Sequence, residues 1–199
     1  GVGGKSTSGA LVLQTSDAGT AGVSGIAVLS TGFASTGNSG SLYIGSGEAS
    51  TGRSGSVYVT AGTGDSGDGG EIAITAGTST DTTGGRISIV TGFGDGTSSG
   101  ALLLRTHDAG TGGESGHLVL STGYATSGNS GALFIGSGPS TVGRGGSVYV
   151  TVGSGTSGSG GEMKLVAGSS SFSTGGRLSV IAGVGGKSTS GALVLQTSD

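Results

Sequence analysis

The stretch Gly55-Ser56-Val57-Tyr58-Val59-Thr60-Ala61-Gly62 returns fifteen residues later as Gly70-Glu71-Ile72-Ala73-Ile74-Thr75-Ala76-Gly77. It returns once more as Gly85-Arg86-Ile87-Ser88-Ile89-Val90-Thr91-Gly92. Each copy opens on a glycine, sets two aliphatic residues one apart, and closes on a small residue and a second glycine. Alternation at period two sends neighbouring side chains to opposite faces of an extended chain. Val57, Val59 and Ala61 therefore share one face. The flanking glycines supply turns at little steric cost, and glycine recurring every few residues, at about 1 kcal/mol each, rules out helix.

Working outward, the leading glycines fall at 9, 25, 40, 55, 70, 85 and 100, then at 116, 131, 146, 161, 176 and 191. The spacing is 16 followed by five steps of 15, twice over. Residues 1–91 align with 92–182 without gaps at 53 identical positions. Residues 183–199 repeat 1–17 without change. The organisation is thus a first six-coil half-repeat (1–91), a second (92–182) and the start of a further 182-residue block (183–199), one continuous structure. The identical ends read either as a duplicated end or as a window onto a longer tandem array, and the opening Gly in place of Met fits an excerpt.

One unit of this length would bury only the two aliphatics of its inward columns and cannot fold alone, so stacking is expected. The expected fold is all-β: a single-stranded β-solenoid, or β-helix, with coils of about 15 residues, in-register ladders, about 13 coils and no caps. One inward column would run Leu11, Ala27, Leu42, Val57, Ile72, Ile87, and the next Leu13, Leu29, Ile44, Val59, Ile74, Ile89. Ile74 and Ile135 would then be core residues. A third column is always small (Ala34, Ala49, Gly64, Ser79, Gly94) and would face them across a thin core. Six coils at ~4.8 Å would make each half about 29 Å long. Glu71 with Arg86, and Glu162 with Arg177, would stack as ion pairs that fix register, at about 0–1 kcal/mol each. The extra residue of the longer coil, near Asp17 and Asp108, would form a bulge.

Composition excludes several classes. Glycine accounts for 50 of 199 residues, with a single proline, so the Gly-X-Y pattern of collagen is absent. Recurrent aliphatics and a net charge of only −3 argue against disorder. There is no basic footprint for nucleic acid and no apolar run long enough for a bilayer. Without cysteine there is no disulfide or thiolate–metal chemistry.

Gly183-Val184-Gly185-Gly186-Lys187-Ser188-Thr189 imitates a phosphate-binding loop, but Ile181 stands where the first glycine is required and no helix follows. The segment reads as a glycine-rich turn. Asp65, Asp68, Asp81 and Asp95 form no repeated calcium-binding column. His107 and His117 have Ser16 and Ile26 as their first-half counterparts, so they read as solvated surface residues. No cofactor, no metal and no catalytic grouping is expected, and the chain is not expected to be an enzyme.

The sequence resembles the Gly/Ser/Thr-rich β-solenoid structural repeat proteins with GG-x-Φ-x-Φ-x-(A/T)-G coils, long surface or extracellular proteins of algae and other protists. It is more loosely similar to bacterial fibre and adhesin solenoids. The likeness covers the whole chain and is one of period and composition. It implies a non-catalytic structural segment of a long extracellular fibre or surface appendage, built from tandem 182-residue blocks, with the chain itself as partner. That pairing would be head to tail and by lateral bundling, with no nucleic acid and no membrane insertion. The alternative is an adhesive or ice-binding stalk, although the outward columns carry no regular Thr row. In one outward column Tyr43, Tyr58, Phe134 and Tyr149 cluster once per half. They either shield strand backbone or form a lateral contact stripe.

Overall fold

The protein is described by a computed structural model covering residues 8–197. Among the described residues there is no helix and no strand. The expected all-β solenoid, its in-register ladders and its axial rise are therefore not formed. What the fifteen-residue period builds is a series of locally closed loops joined by extended stems. The chain divides into two units, Gly1–Leu102 and Leu103–Asp199.

In the first unit, the small residue at the end of each stem meets the leading glycine of the next. Thr15 Oγ1 donates to the Gly25 carbonyl (3.3 Å), Thr31 Oγ1 to that of Gly40 (3.1 Å) and Ser46 Oγ to that of Gly55 (2.8 Å). The following three necks close through the backbone: Gly70 N–H to Gly62 C=O (3.2 Å), Gly85 to Gly77 (2.8 Å) and Gly100 to Gly92 (3.0 Å). The second unit follows this plan from Ser137 onward. Ser137 Oγ donates to the Gly146 carbonyl at 2.8 Å. Gly161, Gly176 and Gly191 donate to the carbonyls of Gly153, Gly168 and Gly183 at 3.4, 2.8 and 2.9 Å. At some leading glycines a side chain would crowd the neck: a Cβ at Gly70 would lie 3.0 Å from that of Ala61, and one at Gly146 2.8 Å from that of Ser137.

Among the described residues, every loop of the fifteen-residue units turns on a three-residue bend at the same register, among them Ser35–Gly37, Asp65–Gly67, Thr126–Gly128 and Ser171–Ser173. The small third column lies inside these loops rather than across a core. Where it is serine, the hydroxyl caps the bend: Thr82 N–H donates to Ser79 Oγ (3.1 Å), Gly143 N–H to Ser140 Oγ (2.9 Å) and Ser173 N–H to Ser170 Oγ (3.0 Å). Where it is glycine, the chain passes too close for a side chain. A Cβ at Gly94 would collide with the Ser98 carbonyl, and one at Gly185 with that of Thr189.

The extra residue of the longer repeat sits in a reverse turn within its loop, where the sequence suggested a strand bulge. Gly22 N–H donates to Gly19 C=O, and Gly113 to Gly110, each at 3.2 Å. The second of these turns places Gly112 at φ 82°, the left-handed position that a type II turn requires.

No described residue is buried. The accessible surface is 19880 Å², against about 8,200 Å² for a compact monomer of this mass and about 26,700 Å² for the unfolded chain. The alternation read from the sequence persists as a gradient. The first aliphatic column is near half exposed (Met163 47 %, Leu42 49 %), and the second more so (Ile74 71 %, Ile135 69 %). The reason the stack fails lies in the supply of apolar surface. Two aliphatics and a small third column are too little to hold fifteen glycine-rich residues in one conformation, whereas closing a loop of nine or ten residues is local and less costly.

Two outcomes follow. Ile74→Asp is expected to leave the far-UV circular dichroism and hydrodynamic radius of the dilute chain as unchanged as Ser88→Asp does, because no core awaits the charge. A loss confined to Ile74→Asp would reinstate a buried ladder. Gly94→Ala is expected to shift backbone resonances across residues 92–100, while Gly45→Ala, with nothing within 4 Å of the added methyl, should shift only its neighbours. Equal perturbation by both would contradict the loop packing.

Candidate contact surface

The side chains able to do chemistry are dispersed. Among the described residues, no three of His, Asp and Glu converge as they would around a metal ion, and no helix is long and apolar enough to cross a membrane. His107 and His117 are exposed, and the nearest partner of His107 Nδ1 is the neighbouring Asp108 carbonyl at 3.4 Å. The segment resembling a phosphate loop is a bend over Gly186–Ser188. Glu71, Arg86, Glu162 and Arg177 are exposed on their stems, and the ladder whose register they were expected to fix is absent.

A shallow apolar depression of the first unit lies beside the Thr15–Gly25 neck. Leu13, Gln14, Thr15, Ala27, Val28 and Leu29 line it. Its lining is mostly aliphatic and carries no charged group, so it offers cover for another apolar surface.

The aromatic residues supply the stronger feature. The outward residues Tyr43, Tyr58, Phe134 and Tyr149 are 91 %, 86 %, 92 % and 86 % exposed. Sequence reasoning missed Phe33 and Tyr124, equally exposed, because they lie in loops rather than in the stem column. The signal was present, since the two positions are 91 apart and each follows the glycine after a neck threonine. Both precede an alanine, Ala34 and Ala125, which is among the few half-buried residues. In compact proteins aromatic rings are prime contributors to the core. Here all eight rings face solvent.

No protein-family model, no curated protein and no solved structure matches this chain.

Tyrosine acetylation in dilute solution is expected to proceed at all four tyrosines at similar rates, read by peptide mass spectrometry. Strong protection of Tyr43 or Tyr149 in a monomeric sample would contradict the exposure described.

Proposed function

We propose that the chain is a non-catalytic structural segment of a long extracellular fibre or surface appendage, assembled from tandem 182-residue blocks that associate with one another. The observation that carries this reading is the uncovered, periodic apolar surface. Large aliphatics recur at the same two stem positions in nearly every unit, about half exposed or more. Exposed apolar area of that extent marks surfaces that are covered by association. A regular period distributes it along the chain rather than gathering it into one site. The 53 identities between halves and the unchanged return of residues 1–17 at 183–199 support a repeating material in which one contact is made many times.

Composition fits the same role. With charged residues at 10 %, identical copies meet little mutual repulsion, and glycine with serine and threonine keeps the loops narrow. An extracellular or surface location follows the resemblance in composition to long repeat proteins of that kind.

Light scattering and negative-stain electron microscopy of the purified chain at increasing concentration test the reading. Growth into filaments or bundles of uniform width is expected. A chain that remains monomeric at every soluble concentration would overturn it.

A further inference from the structure

Six of the eight aromatic residues fall in two windows, 31–60 and 122–151, that lie 91 residues apart. Phe33, Tyr43 and Tyr58 in the first match Tyr124, Phe134 and Tyr149 in the second. An arginine, Arg53 or Arg144, stands between the last two rings of each. The remaining aromatics have no such counterpart: Phe93 corresponds to Val184 and Phe172 to Asp81.

Loop closures stand beside these rings in the chain. Thr31 closes on Gly40 at 3.1 Å, so Phe33, two residues beyond Thr31, and Tyr43, three beyond Gly40, hang on one neck. Tyr124 and Phe134 stand in the same relation to Thr122 and Gly131, where a methyl on the glycine would lie 3.5 Å from the threonine side chain. The necks leading to Tyr58 and Tyr149 are closed by Ser46 and Ser137, each at 2.8 Å. Where a neck closes through backbone glycines instead, the outward stem residue is Ala73, Ser88, Leu103, Lys164, Ser179 or Val194. No ring occurs in that set.

We propose that each window is a contact module and that its occupant is a second copy of this chain. This rests on the fibre reading above and adds where the contact is made. Three rings offer about 450–750 Å², just short of the ~800 Å² each partner contributes to a stable interface. One module therefore holds weakly, and recurrence every 91 residues supplies avidity. Tyrosine and arginine are the residue types that anchor protein interfaces. The chain also carries the complement of its own arginines. Each window has one arginine and at most one carboxylate, Glu48, while Asp65, Asp68, Glu71 and Asp81 lie just beyond the first. A second copy thus brings both apolar cover and carboxylates, whereas one guanidinium per window is a poor match for a polyanion.

Sedimentation velocity of the whole chain over a concentration series tests this against two variants. One combines Phe33→Ser, Tyr43→Ser, Tyr58→Ser, Tyr124→Ser, Phe134→Ser and Tyr149→Ser; the other combines Phe93→Ser and Phe172→Ser. The six-site variant is expected to associate at least about tenfold more weakly, and the two-site variant to match the wild type. Arg53→Glu with Arg144→Glu should also weaken association. Wild-type-like association of the six-site variant, or equal loss in the two-site variant, would overturn the module and leave the fibre reading standing. A wild-type chain that stays monomeric would overturn the fibre reading itself. If that monomer cosediments with insoluble polysaccharide or with phosphatidylcholine vesicles, a second copy is the wrong occupant.

Discussion

Apolar surface in this protein is supplied in small, recurring amounts, two to four large aliphatic side chains for each unit of fifteen or sixteen residues, and the rest of the structure depends on that ration. Burial gathers free energy only when side chains can cover one another, and ordering a glycine-rich backbone consumes more of it than an ordinary sequence would. A chain so constituted closes what can be closed locally. The necks do this by joining each stem's last residue to a glycine eight to ten positions on, and they leave the aliphatic columns turned to solvent.

The necks come in two chemistries, and the choice follows the residue that ends the stem in all but one of the bonded cases. Threonine or serine there donates its hydroxyl to the glycine carbonyl at Thr15, Thr31, Ser46 and Ser137. Alanine or valine, as at Ala61, Ala76, Val152, Ala167 and Ala182, has no donor, and the following glycine accepts from the backbone instead. Thr91 is the exception: its neck closes from Gly100 to Gly92. In the first half three hydroxyl-closed necks precede three backbone-closed ones, and in the second half Ser137 precedes three backbone-closed necks. The 91-residue period thus carries a second division, and the stem aromatics follow only its first part.

Much of this was legible in the sequence, and the part that was not has a physical cause. The period, the halves, the extended character of the Φ-x-Φ runs and the turning role of the glycines all follow from alternation and composition. The partner of each unit did not. Identical columns at fifteen-residue spacing are equally compatible with stacking along one chain and with presenting the same face repeatedly to other chains, because periodicity specifies which residues are equivalent and not which ones touch. The third column is invariantly small, and smallness alone is equally compatible with facing a thin core and with lying inside a loop. In the structure Gly94 and Gly185 make room for a carbonyl, and Ser79, Ser140 and Ser170 cap a bend. Of the contact surface, the stem aromatics follow from their column, while Phe33 and Tyr124 lie in loops outside it.

A chain whose apolar columns are satisfied only by other copies should gain order as it associates. Amide hydrogen exchange, followed by mass spectrometry on dilute and concentrated samples, reports this directly. In the dilute monomer, amides of the stems such as 56–60 and 147–151 are expected to exchange at close to unstructured rates, with protection appearing in the stems as association proceeds. Stem amides protected by about a thousandfold or more in a chain shown to be monomeric would mean that the single chain buries its own columns, and would contradict the account.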